Sequence, residues 1–251
     1  MDHKAQILAR LDAIGAALDS TGEALALLAL GSVGVETDRI DAYSDLDFFA
    51  IVKPNRKPLF MANLDWMAAP IAYSFQNTDD GHKVLYEDGI FAEFAIFEPR
   101  ELSAIPFAPG RLVWQADEFD AALVTPSVRT PYKYALDWVL GEALTNLYVG
   151  MGRHRRGETL AALRLIQHHA VNQVMRLAMY IEPDHPDRRD PFADERRFEQ
   201  RFPGIADQLP GMMQGYNGNT ASARAILAFL DAHFEINPAI KARILELCEG
   251  G

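Results

Sequence analysis

LALGSVGVETDRIDAYSDLDFFAIV, from Leu28 to Val52, decides the reading of this chain. It begins as an apolar strand, breaks at a Gly-Ser turn, runs through a polar loop, and resumes as a strand opening Asp45-Leu46-Asp47. Side chains alternate faces along a strand, so Asp45 and Asp47 are predicted on one face, about 6–7 Å apart at the backbone. Two carboxylates held side by side repel each other unless a cation lies between them. Mg²⁺ suits such a pair, because it takes few protein carboxylates and completes its shell with water and substrate phosphate. The pattern points to metal-dependent chemistry on a nucleoside triphosphate.

Working outward, that chemistry needs further parts. Two metals about 3.5–4 Å apart can stabilise both the attacking and the leaving oxygen, and they need a third carboxylate. Glu93 is the candidate, the lone charge in the apolar run Ile90-Phe91-Ala92-Glu93-Phe94-Ala95-Ile96-Phe97. An unpaired ionised Glu in a buried strand costs several kcal/mol, so it needs a partner or a raised pKa. Glu87 and Asp88 read as turn residues, and Glu98 sits at a strand end before Pro99, so each competes less well. Gly31 and Ser32 follow the first strand, where glycine lets backbone N–H groups approach phosphate closely and the Ser hydroxyl can join them. Ser44 either orients the loop before Asp45 or caps a turn.

The pattern along the chain is α+β. Helical spacing runs from His3 to Leu18, and Ala24 to Gly31 is a buried strand. Asp45–Val52, Pro70–Phe75, Lys83–Tyr86, Ile90–Phe97 and Arg111–Gln115 read as further strands, with a short helix at Leu59–Met67 and a Glu87-Asp88-Gly89 turn. After Pro126 only helical spacing remains: Tyr132–Val149, Glu158–Ile181, Asp194–Arg201, Ala221–Phe234 and Pro238–Leu247. A mixed sheet with helices over 1–128, followed by an all-α bundle over 129–251, is the expected organisation.

Nearly half of the 251 residues are hydrophobic, which supports a sizeable core. The net charge of −11 argues against a nucleic-acid partner; an acidic cleft would favour a cationic acceptor, although solubility alone explains the charge better. The single cysteine, Cys248, excludes an internal disulfide and a cysteine-based zinc site; a partly buried helix position is expected for it. The N-terminus lacks a secretory pattern and the longest apolar run is too short to cross a bilayer, so no membrane association and a cytoplasmic location are expected.

Leu30-Gly31-Ser32, Tyr43-Ser44-Asp45-Leu46-Asp47 and the later Glu93 resemble the motifs of the nucleotidyltransferase superfamily with a polymerase-β-like core. The resemblance is nearest to the aminoglycoside and lincosamide antibiotic nucleotidyltransferases, which also carry a helical C-terminal part. It covers about Leu28 to Phe97 and implies the nucleotidyltransferase fold for the first half. It further implies that Asp45, Asp47 and Glu93 are catalytic and bind Mg²⁺, two ions when nucleotide is present. The implied reaction moves AMP from ATP, or another nucleoside monophosphate, to a hydroxyl of a small acceptor and releases pyrophosphate. Asp47 or Glu93 would take the hydroxyl proton. The chain departs from the pattern at Val33-Gly34-Val35-Glu36, where many members carry an Arg against phosphate, so Arg39 or a cation of the helical half would replace it. Rival readings are transfer to a Tyr or Ser of a protein partner, and a non-catalytic relative that binds nucleotide or a partner.

In the helical half, the resemblance suggests Lys133 for the triphosphate. Glu142 and Asn146 share a helix face by i, i+4 spacing and are the acceptor-side candidates, although a local hydrogen bond or a plain surface face explains them somewhat better. His168-His169 point about 100° apart and so do not form a zinc pair; one is expected packed and one exposed. Arg153-His154-Arg155-Arg156 reads as a solvated loop between helices, Asp194–Arg201 as an exposed, ion-paired helix, and Trp66, Trp114 and Trp138 as core.

Overall fold

The computed structural model describes residues 2–126, 134–186, 189–190 and 193–250. Contacts divide the chain into two compact units, Met1–Thr130 and Pro131–Gly251. The expected division at 128/129 falls within 127–133, outside the described residues.

The first unit begins with helix α1 (His3–Thr21). Asp2 caps it by accepting from the Ala5 N–H at 2.8 Å, and Gly22 closes it in the left-handed conformation, φ 65°, donating to Asp19 O. Strands β1 (Ala24–Ala29), β2 (Leu46–Val52), β3 (Ile71–Gln76), β4 (Gly81–Tyr86), β5 (Phe91–Phe97) and β6 (Arg111–Gln115) form a six-stranded sheet in the order β3-β4-β5-β2-β1-β6. Only β2 and β5 are parallel; every other described neighbour pair is antiparallel.

Alternation assigns each strand residue to a face. Leu46, Phe48, Ala50 and Val52 of β2 join Ala92, Phe94 and Ile96 of β5 in one apolar cluster with Ile7, Leu11, Ile14 and Leu18 of α1. Phe48 stacks on Phe94 at 5.0 Å, and Trp66 closes edge-on over both. On the opposite face Ile51 and Phe97 pack with Leu102, Phe107 and Phe119 at one end. The short helix expected over Leu59–Met67 is helix α2 (Lys57–Ala62) plus a single tight turn at Asp65–Met67.

The described residues of the second unit contain helices and no strand: α3 (Leu136–Arg155), α4 (Thr159–Leu163), a π-helical stretch over Arg164–Ala170, and α5 (Val171–Leu177). The short α6 (Phe198–Arg201), α7 (Pro203–Ala206) and α8 (Leu209–Met212) follow, then α9 (Asn219–His233) and α10 (Pro238–Glu249). At Gly150 of α3 a Cβ would stand 2.6 Å from Ile166 Cγ1, so only glycine permits that helix contact. The buried amide of Gln167 donates to Gly215 O and accepts from Gly215 N–H, each at 2.8 Å, which pins the turn before α9.

Several expectations for this half are corrected. Arg153–Arg155 belong to the last turn of α3 and not to a loop; Arg153 pairs with Glu158 and Arg155 holds Leu247 O. His168 and His169 are both exposed, whereas Ile166, Gln167 and Ala170 of the same π-helical stretch are buried. Within Asp194–Arg201 only Phe198–Arg201 is helical, and Phe198 and Arg201 are buried, the latter in a two-pronged pair with Asp184. Trp138 is 45% exposed, stacked on Tyr134 at 4.4 Å, instead of lying in the core. Trp66 and Cys248 are buried as expected.

Candidate functional site

The polar end of the open sheet face is built by register. In the parallel ladder Asp47 of β2 lies directly beside Glu93 of β5, and across the next, antiparallel ladder Glu93 lies beside Lys83 of β4. Adjacent strands are about 4.8 Å apart, so these three side chains stand in one row on one face. Two carboxylates in directly paired positions destabilise a sheet unless a cation intervenes. Lys83 supplies one charge: its Nζ lies 3.0 Å from Glu93 Oε2, while Asn77 Nδ2 donates to Glu93 Oε1 at 3.3 Å.

Asp45, expected as the first residue of the strand, stands one residue before it, since β2 begins at Leu46. The loop ahead of it is a compact polar turn. Asp41 Oδ1 accepts from the Tyr43 N–H at 2.8 Å, and the Ser44 hydroxyl accepts from the Asp41 N–H at 3.0 Å. Ser44 therefore caps that turn, and its carbonyl meets His3 Nε2 at 2.8 Å.

On the other side of Asp47 lies the Gly-Ser turn. The Leu30 N–H donates to Asp47 O at 2.7 Å, fixing the end of β1 to the start of β2. Gly31 follows at φ 55°, and a Cβ there would stand 2.7 Å from Asp47 Oδ2. Any side chain at 31 would occupy the space beside this carboxylate. Ser32 is in the same tight turn, Gly31–Val33. Arg111 braces the turn from β6, donating through Nε to Gly34 O at 3.3 Å and through Nη2 to Val33 O at 3.2 Å. Arg39, suggested as a phosphate cation, is ion-paired with Glu36.

Two of the competing carboxylates, Asp88 and Glu98, are engaged elsewhere. Asp88 pairs with Arg10 at 2.6 Å. Glu98 is buried and caps the turn at Pro99–Ala104 while accepting from the Asn55 N–H at 2.8 Å. Asn146 Nδ2 donates to the Glu142 carbonyl at 2.7 Å, the local bond anticipated for that pair. Lys133 lies outside the described residues.

Beyond Lys83 the open face turns apolar again. Phe75 pairs with Lys83, and Tyr73 with Leu85, which pairs with Phe91, so Tyr73, Phe75, Leu85 and Phe91 surround the charged row on the same side. Tyr73 is 57% and Phe75 52% exposed. The sealed face treats titratable groups differently. Burial pushes the Tyr86 phenol up to about 12, and its hydroxyl donates to Met67 O at 3.0 Å. Burial likewise lowers the pKa of His82, whose ring stacks on Phe94 at 5.7 Å.

As the side chains stand, no three His, Cys, Asp or Glu groups among the described residues are gathered closely enough to hold a metal ion. Glu93 is turned toward Lys83 and Asn77. The donor chemistry nevertheless fits a hard cation: Asp45, Asp47 and Glu93 offer oxygen only, and Gly31 leaves open the space that a Cβ would fill against Asp47. Lys83, Asn77 and Arg111 were not singled out from the sequence. The signal for Lys83 was alternation within Gly81–Tyr86, where His82, Val84 and Tyr86 point inward and Lys83 and Leu85 outward.

No family model matches the chain, and no curated protein matches it. Among solved structures, an aminoglycoside 6-adenyltransferase from Bacillus subtilis aligns over 98% of this chain and 92% of its own, with a TM-score of 0.36 and 12% identity. Among the described residues, no helix is long and apolar enough to cross a membrane.

Proposed function

We propose that this protein is a metal-dependent nucleotidyltransferase. It moves a nucleoside monophosphate, AMP from ATP in the first instance, to a hydroxyl of a small and cationic acceptor. The observation that carries the reading is the side-by-side register of Asp47 and Glu93, with the Gly31 turn pressed against the Asp47 carboxylate. Asp45, Asp47 and Glu93 would hold Mg²⁺. When bound, Mg²⁺ supplies charge stabilisation for the attacking and leaving oxygens of an in-line displacement.

The remaining work falls to the chain itself. Main-chain N–H groups of the Gly31-Ser32 turn and the Ser32 hydroxyl hold phosphate oxygens. Asp47 or Glu93 accepts the proton of the acceptor hydroxyl. The acceptor oxygen then bonds to the α-phosphorus as the bond to the pyrophosphate oxygen breaks. Tyr73, Phe75, Leu85 and Phe91 offer the acceptor an apolar bed beside the charged row. Their exposure also suits a second reading, in which the hydroxyl belongs to a Tyr or Ser of a protein partner.

The test is pyrophosphate release from labelled ATP and GTP with Mg²⁺ over a panel of hydroxylated amines, aminoglycosides and lincosamides among them. Turnover that falls to background in Asp47→Asn supports the reading; turnover undiminished by that change refutes it. Label found only on added protein selects the second reading.

A further inference from the structure

We infer that Lys83 is an exchangeable counter-cation for the site: it holds Glu93 while no metal is bound and passes to the triphosphate when metal and nucleotide arrive. The inference rests on the metal-dependent reading above. Its starting point is that Glu93 has a cation at 3.0 Å already, and that this cation is a side chain of the neighbouring strand in direct register. The row Asp47–Glu93–Lys83 thus has one positive charge for two negative ones. Lys83 neutralises the far carboxylate, and the near one, Asp47, lies against the Gly31 turn.

The pair is built to exchange. Its side chains are 39% and 44% exposed, so water screens the attraction and a divalent ion with several oxygen ligands competes well against a single ammonium. Once the Glu93 carboxylate turns toward Asp47, the ammonium loses its partner. Its three donors remain on the open face, on a flexible four-carbon stem, where the triphosphate would bring negative charge. Lys83 meets that charge from the strand beside Glu93. It is a positioning residue with two opposed effects: it weakens metal binding to the empty site and strengthens nucleotide binding to the loaded one.

Opposite signs make the proposal testable. Mn²⁺ binding without nucleotide, followed by the loss of the free-ion EPR signal, should tighten by up to about fivefold in Lys83→Met, the scale of a half-exposed ion pair. In the same variant the KM for Mg-ATP in pyrophosphate release should rise at least about tenfold, the scale of a charge-assisted phosphate contact. Lys83→Arg, which keeps the charge, should stay near wild type in both. Thermal melting of each variant establishes that it is folded. A Lys83→Met protein with unchanged or weaker Mn²⁺ affinity, or an unchanged KM, overturns the exchange role and leaves the nucleotidyltransferase reading standing. A wild-type protein that binds no Mn²⁺ overturns both.

Discussion

On one face of the sheet, Leu46, Phe48, Ala50 and Val52 of β2 disappear beneath α1; on the other, Asp47, between the first two, meets Glu93 and the Gly31 turn in the open. Each strand serves both faces through alternate residues. On the sealed face ionisable groups are kept neutral, as the raised Tyr86 phenol and the lowered His82 imidazole show. On the open face charges are kept and paired, as Lys83 and Glu93 show. The difference teaches that adjacent residues of one strand should fail in different currencies, one in stability and the next in activity.

The largest effect sharpens this contrast. Phe48→Ala empties a fully buried site between Phe94 and Trp66 and should cost about 3–5 kcal/mol in urea unfolding, while the molecules that remain folded keep their pyrophosphate release. Its neighbour Asp47→Asn should leave unfolding within about 0.5 kcal/mol, because it also removes a like charge beside Glu93, yet lower turnover by on the order of 10³-fold. Equal losses of stability in the two variants would break the comparison.

Gly31→Ala should cross the divide. Its left-handed backbone makes a Cβ unfavourable by about 1–2 kcal/mol, and that Cβ would displace the Asp47 carboxylate. Turnover should fall more than tenfold with only that modest loss in stability; an active Gly31→Ala protein would remove the turn from the site.

The smallest effect belongs to the sealed face. Burial lowers the His82 pKa below its ordinary 6.5, so below that pH the unfolded chain takes up a proton that the folded imidazole resists. Stability from this group is complete above about 6.5 and declines as pH falls toward the folded value. Unfolding midpoints measured from pH 7.5 to 5.5 should therefore drop less steeply in His82→Leu than in the wild type. Parallel slopes would mean the imidazole is not protected.

Most of the fold was legible because each strand carries its own alternation and each long helix its own spacing. Glu93 stood out as one charge in an apolar run, and Gly31 and Asp47 by their order. Register was not legible. Periodicity assigns Lys83 to a face but cannot tell that Glu93 is its neighbour, because pairing is set by tertiary structure. The same blindness explains Asp45, read as inside β2 when the turn held by Asp41 and Ser44 delays the strand by one residue. Trp138 was assigned to the core on hydrophobicity alone, yet it lies half-exposed, stacked on Tyr134.

The parallel pairing of β2 with β5 sets the order in which the molecule can assemble. Strands β3, β4 and β5 follow one another as antiparallel neighbours and can zip locally, whereas β2 reaches β5 only after residues 53–90 have closed into a crossover. Loop-closure entropy makes such a long-range pairing slow to nucleate. The register of Asp47 with Glu93 thus spans more of the chain than any pairing within β3–β5, and a chain caught midway through folding owns both carboxylates without yet owning the place where they meet.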